Sequence, residues 1–319
     1  MNSRTITAIV VVVLVLGAIY GITAYQKGAK VQEHLTALNS NDTAAVVKAL
    51  ESLSSGGPRV VEAVATGLAS EDPQIRSRSV VLIGLCGRPE SATLIQKTLT
   101  SDTDKYVRRD AAVALGSMGA VSAAADLTGV LNDDDEDIIV RSAAARSLGR
   151  LQYTGAVPPL TAILRQRPPL PPPVPEGEEA EPIEDLTASL RAGAAEALGW
   201  LAKGDAEAIA ELGQALKLDP DKAVRQSAAT ALGFAITDNP DGQQVGEAIS
   251  ALLDKMDDEE GDVRTAIVMA LGRAGSLSDD LLRGRLQRAV SAAEQDEHYW
   301  VREAAAAARK TLPPFETSA

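Results

Sequence analysis

Asp104-Lys105-Tyr106-Val107-Arg108-Arg109-Asp110-Ala111-Ala112-Val113-Ala114-Leu115-Gly116 is one copy of a phrase that this chain of 319 residues repeats seven times. An acidic residue, two free positions, an aliphatic residue and an arginine lead into an alanine-rich run. The arginines are Arg76, Arg108, Arg141, Arg191, Arg225, Arg264 and Arg302. Eight residues after each of the first six stands a glycine: Gly84, Gly116, Gly149, Gly199, Gly233 and Gly272. A phrase returning every ~30–40 residues predicts stacked helical hairpins, each burying its apolar face on its neighbours. In such an array, function is expected in a surface and not in a catalytic cleft.

Each position in the phrase has a physical reading. Asp72, Asp104, Asp137 and Asp221 lie four residues before their arginine, and Glu260 takes that place in its unit. An acid there caps the helix by accepting free backbone N–H groups and facing the positive end of the dipole. The aliphatic residue (Ile75, Val107, Val140, Leu190, Val224, Val263, Val301) points into the stack. Leucine then closes the core, and the glycine after it either ends the helix or lets the next one pass close by. A second apolar helix, such as Val121–Leu131 or Ala206–Leu216, follows in every unit but the last. Thr187 and His298 replace the acid in the units of Arg191 and Arg302, while Arg309 and Lys310 replace the last Leu-Gly pair. Charge on an outer face suits a terminal cap. His298, Tyr299 and Trp300 are either part of that cap or a contact for a partner.

The phrase resembles the HEAT repeat, in the bacterial form also found in phycobilisome-lyase-like proteins, whose units read D-x-x-V-R-x-x-A-A-x-A-L-G. The likeness covers about residues 70–312, with a divergent first hairpin before it. It implies that the aspartates and arginines of successive units form a ladder fixing the stack: Asp72, Arg76, Asp104, Arg108, Asp137, Arg141, Arg191, Asp221, Arg225, Glu260, Arg264 and Arg302. The expected fold is all-α, a right-handed α-solenoid of HEAT-like hairpins, preceded by a single transmembrane helix.

That helix is Ile6–Tyr25, 20 residues without a charge. At ~1.5 Å per residue it spans about 30 Å, the thickness of a bilayer's hydrocarbon core. Gly17 and Gly21 form a GxxxG pattern that lets a second membrane helix approach closely. The expected organisation is a tail (1–5), the membrane helix (6–25), a juxtamembrane linker (26–42) and repeats at 43–164. An insertion (165–185), repeats with a terminal cap (186–312) and a tail (313–319) complete it. The five-residue basic N-terminus places the repeats on the periplasmic side of a bacterial inner membrane, with the cytoplasmic side as the alternative.

Arginine spacings of 32–39 residues are broken by one of 50, between Arg141 and Arg191. The excess is Arg165–Asp185, RQRPPLPPPVPEGEEAEPIED, with seven prolines and six acids. Such a segment forms an extended polyproline II arm with an acidic end. Arg165, Arg167, Pro168 and Pro171 fit the R-x-x-P-x-x-P pattern read by proline-binding domains.

The formal charge of −13 repels nucleic acid and anionic lipid heads and leaves proteins as the expected partners. Two distant histidines and one cysteine make no metal cluster, and no nucleophile elbow or phosphate loop occurs, so no cofactor and no metal are expected. The acidic runs Asp133–Asp137 and Asp257–Asp262 read as solvated turns between repeats. The chain is read as a non-enzymatic, membrane-anchored scaffold, an accessory subunit of a larger membrane complex. The alternatives are a free-standing tether for soluble partners and a chromophore-lyase-like enzyme using Cys86.

Overall fold

A computed structural model describes residues 48, 58–168, 185–202, 204–238, 243–275, 277 and 279–312. The segment 6–25 with Gly17 and Gly21, the linker 26–42, Pro171 and the tail 313–319 lie outside them. Among the described residues no helix is long and apolar enough to cross a membrane.

The described chain is all-α, with no strand. Seven helices carry the arginines: α2 (Pro73–Cys86), α4 (Lys105–Ser117), α6 (Ile138–Arg150), α8 (Ala188–Leu201), α10 (Lys222–Asp238), α12 (Gly261–Leu271) and α14 (Tyr299–Thr311). Between them run the second helices α3 (Ala92–Ser101), α5 (Ala124–Asn132), α7 (Val157–Arg165), α9 (Ala206–Leu218), α11 (Gln243–Leu253) and α13 (Asp280–Ala293). A short helix α1 (Pro58–Ala65) packs on α2. Each arginine helix packs on the arginine helices before and after it, so the hairpins stack in two layers.

Local chemistry starts each arginine helix. The Asp104 carboxylate accepts from Tyr106 N at 2.8 Å and Val107 N at 3.1 Å. Asp72, Asp137 and Asp221 cap their helices in the same way. Glu260 makes no cap bond; its longer side chain instead meets Lys222 Nζ at 3.3 Å. The core follows the motif: Val107, Val140, Val224, Val263 and Val301 are fully buried, as are Leu115, Leu148, Leu198, Leu232 and Leu271. Each such leucine contributes roughly 1.5–3 kcal/mol of burial.

Of the two roles open to the motif glycine, the structure selects close approach. A Cβ built at Gly84, Gly116, Gly149, Gly199, Gly233 or Gly272 would lie 2.8–3.3 Å from a Cα of the next arginine helix. The helices continue past the glycine, except at Gly272, which caps α12 in a right-handed conformation. The left-handed stop comes three residues later, at Gly87 (φ 61°), Gly119 (70°) and Gly275 (56°). Gln152 holds that place after α6 at φ 54°.

The two layers are built differently. Arginine helices touch through alanine and glycine. Second helices are bridged by longer polar side chains, as in Gln96–Asp126 at 2.9 Å and Arg285–Asp254 at 2.8 Å. The arginine helices thus form the closely spaced layer.

Candidate interaction surface

The arginines are joined by a ladder, but their partners are not the capping acids. Arg76 makes a two-pronged pair with Asp102 (2.8 and 2.8 Å), and Arg108 with Glu136 (2.7 and 2.6 Å). Arg191 pairs with Asp219 (2.7 and 2.9 Å), Arg225 with Asp258 (2.8 and 3.0 Å), and Arg264 with Asp296 (2.9 and 2.8 Å). Each carboxylate sits one or two residues before the first position of the next unit's phrase. Asp102, Asp219, Asp258 and Asp296 also accept the backbone N–H two residues on, which aims them back at the preceding arginine. The remaining guanidinium nitrogen is taken by carbonyls of the arginine's own turn, as in Arg225 to Asp219 O and Pro220 O, except in Arg191, where the Asp185 carboxylate and the Thr187 hydroxyl accept it.

In the turns of Asp102 and Asp104, Glu136 and Asp137, and Asp219 and Asp221, two kinds of acid therefore stand side by side: one starts its own helix and one ties the previous unit. Asp258 and Asp219 are buried, so the acidic turns are not wholly solvated as composition suggests. Burial alone would push the Asp102, Glu136 and Asp258 carboxyls up. Their arginines and the backbone N–H groups more than offset it, and all three lie below the ordinary range. Asp185 and Asp296 are held low chiefly by arginine hydrogen bonds, with burial opposing. A sequence signal for these acids existed in the D-x-D/E/H spacing of Asp102-x-Asp104, Asp219-x-Asp221, Asp258-x-Glu260 and Asp296-x-His298.

The insertion interrupts this order. Among the described residues Arg141 meets no acid of the next unit and turns back to Asp134 (2.9 Å) and Leu131 O (3.1 Å). Asp185, which stands where that acid would be, instead holds Arg191 of its own unit at 2.5 Å. Arg302 closes the series on the carbonyls of Asp296 (2.7 Å) and Glu297 (2.8 Å).

Arg165 and Arg167 are engaged within the fold. Arg165 pairs with Glu207 and Glu211, and Arg167 with Glu211 (2.7 Å) and Leu164 O (3.0 Å). They tie α7 to α9 across the base of the insertion, with Pro168 half-buried beside them. The two arginines of the R-x-x-P-x-x-P pattern thus serve the layer of second helices.

At the far end the His298 ring lies on Gly261, where an added Cβ would come within 2.5 Å of it, and the buried Nδ1 has no hydrogen-bond partner among the described residues. Histidine makes no side-chain cap for α14. Tyr299 and Trp300 are exposed and meet edge to face at 4.9 Å. Trp300 stands over a cleft of about 170 Å³ with Met269 and Arg273. A neighbouring cleft of about 370 Å³ is walled by Trp200 and Phe234, and one of about 580 Å³ lies at the other end by Arg78, Tyr106 and Arg109. All three open between successive arginine helices. Cys86 is half-buried, and burial pushes its thiol up, away from a reactive thiolate. Among the described residues no group of His, Cys, Asp and Glu could hold a metal ion.

The architecture is that of a helical-repeat scaffold whose exposed clefts follow the repeat. The pattern of the family described as HEAT repeats matches residues 61–139 and 183–272, more than half of the chain. The chain belongs to the HEAT-repeat family. The PBS lyase HEAT-like repeat matches residues 140–166. No curated protein matches the sequence. Similar solved structures include an engineered protein at 18% identity, covering 87% of this chain and 77% of that one, TM-score 0.48. The complex of CpcE and CpcF of phycocyanin lyase from Nostoc sp. PCC7120 is 20% identical, covering 81% and 97%, TM-score 0.49. Human deoxyhypusine hydroxylase with glycerol is 18% identical, covering 91% and 98%, TM-score 0.37.

Proposed function

We propose that this protein is a membrane-tethered scaffold whose arginine-helix face takes a protein partner, as an accessory subunit of a larger membrane complex. The carrying observation is the run of open clefts on that face, set between successive repeats and edged by exposed Tyr106, Met269 and Trp300. An open surface repeating along a stack suits a protein ligand, since a small molecule needs a concave site that encloses most of it. The tether is residues 6–25, and the repeats lie on the periplasmic side. Integral partners are favoured over transient soluble ones because Gly17 and Gly21 offer a second contact inside the bilayer.

The test is affinity purification of the C-terminally tagged chain from gently solubilised membranes, with alkaline extraction of a parallel sample. Stoichiometric integral proteins, lost on Met269→Asp or on Gly17→Ile with Gly21→Ile, are expected. A chain released by alkali, or arriving alone, overturns the subunit reading. Cys86→Ser leaves co-purification unchanged, because a half-buried thiol in α2 takes no part in the contact.

A further inference from the structure

We propose that the outer flank of α14 docks an acidic segment of a partner protein, seating an aspartate or glutamate carboxylate on the Nε–Nη2 edge of Arg302. The ladder shows how such an edge is used. In Arg76, Arg225 and Arg264, Nη1 donates to the carbonyls six and five residues earlier. Their Nε and Nη2 then grip a carboxylate of the next unit in two prongs. Arg302 is held in the same way, with Nη1 donating to Asp296 O (2.7 Å) and Glu297 O (2.8 Å), six and five residues earlier. Among the described residues no carboxylate meets its other edge, and the guanidinium lies over the exposed Tyr299 ring at 5.8 Å.

The rest of the flank agrees. Four residues after the arginine, every earlier unit has a fully buried side chain: Val80, Ala112, Ala145, Ala195, Ala229 and Val268. The counterpart in α14, Ala306, is exposed. Tyr299, Arg302, Ala306 and Lys310 follow at helical spacing and share one flank.

Chemistry selects the occupant. A further arginine helix would need glycine eight residues after Arg302, because at that position an added Cβ comes 2.8–3.3 Å from a Cα of the following helix. Lys310 stands there, so a second copy cannot continue the stack in register. The helix carries Arg302, Arg309 and Lys310 against one acid, Glu303, in a chain of net charge −13. A basic flank on an acidic protein steers acidic segments to itself. Two parallel N–H donors fit a carboxylate, and an extended segment reaches them without the close helix approach that Lys310 forbids. An anionic bilayer is disfavoured, because the acidic remainder of the chain is repelled by it. The clefts between repeats play no part, so this site stands or falls apart from the scaffold face.

The probe is a labelled, acetylated and amidated peptide of residues 254–262, the acidic turn whose Asp258 holds Arg225. Anisotropy against the full chain in neutral detergent at low salt is expected to show saturable binding below millimolar peptide. Replacing each acid of the peptide by its amide should abolish it. Arg302→Lys keeps the charge but loses the two-pronged edge, and should weaken binding at least fivefold. Ala306→Glu places a carboxylate one helical turn from Arg302, and should weaken binding at least tenfold with helicity and melting kept. No saturable binding, or equal affinity in parent and Ala306→Glu chains, overturns the site. Sedimentation at one copy over the same range supports a different protein as the source of the segment. Self-association lost in Ala306→Glu would assign it to a second copy, and a tenfold gain in affinity on Glu316→Gln to the chain's own tail; either overturns a separate partner.

Discussion

Arg141 and Arg191 are successive copies of one residue in one motif, yet their surroundings differ. Arg191 is 1% exposed, between Asp185 and a fully buried Asp219. Arg141 is also largely covered, but its carboxylate partner Asp134 is 92% exposed and belongs to the turn before it. The cause is the connection between them. A regular unit delivers its first acid to the arginine before it. The unit after the insertion keeps Asp185 for its own arginine, leaving Arg141 with a solvated partner. The motif dictates that an arginine stands there; the length of chain before the next motif dictates what it meets.

The largest test of that contrast removes each arginine. Arg191→Ala strands two carboxylates, one fully buried, and should lower the unfolding free energy by about 3–5 kcal/mol. Arg141→Ala should cost about 1 kcal/mol, the worth of a carbonyl hydrogen bond and an exposed pair. Urea denaturation of the solubilised chain, followed by circular dichroism, separates them. Equal losses would show that the insertion does not divide the ladder.

Packing gives the next contrast. Gly149→Val would drive a side chain into Ala197 Cα, 2.8 Å from the added Cβ, and into Trp200, costing roughly 1–3 kcal/mol. Gly129 in α5 has nothing within 4 Å of an added Cβ, so Gly129→Ala should stabilise by about 0.5–1 kcal/mol. Close approach at Gly149 and open space at Gly129 require these opposite signs.

Acid should expose the ladder as a whole. Asp102, Glu136, Asp185, Asp258 and Asp296 all have folded pKa values below their ordinary ones. Their stabilisation is complete above the ordinary carboxylate pKa of ~4 and is lost as pH falls through the lower folded values. The melting temperature should hold at neutral pH and drop steeply below about pH 4, less so in Arg191→Ala. The smallest effect is at the turn after α6. Gln152→Gly relieves a left-handed backbone and should raise stability by roughly 0.5 kcal/mol, discounting the entropy of glycine.

Much of the fold was legible in residues. Asp72, Asp104, Asp137 and Asp221 cap the helices as spacing implied, because capping is settled within four residues of chain. The valines and leucines of the motif are buried for the same local reason. The ladder was legible in its arginines and not in its acids. Asp102 and Asp219 carry the same letter as Asp104 and Asp221, and only the next unit's position tells a cap from a crosslink. Arg165 and Arg167 read as an exposed ligand because a proline run follows them. Glu207 and Glu211, more than 40 residues on, take them into the fold.

By itself the sequence determined that this protein is a stack of helical hairpins of the HEAT kind, acidic and interrupted once. A repeated pattern of caps, apolar positions and small residues admits few other packings. Only the tertiary structure decided which acid meets which arginine and which layer closes on glycine. It also decided that Trp200, Phe234 and Trp300, spread over 100 residues, share one strip. Those are contacts between units, and their geometry is set by how one hairpin lies on the next.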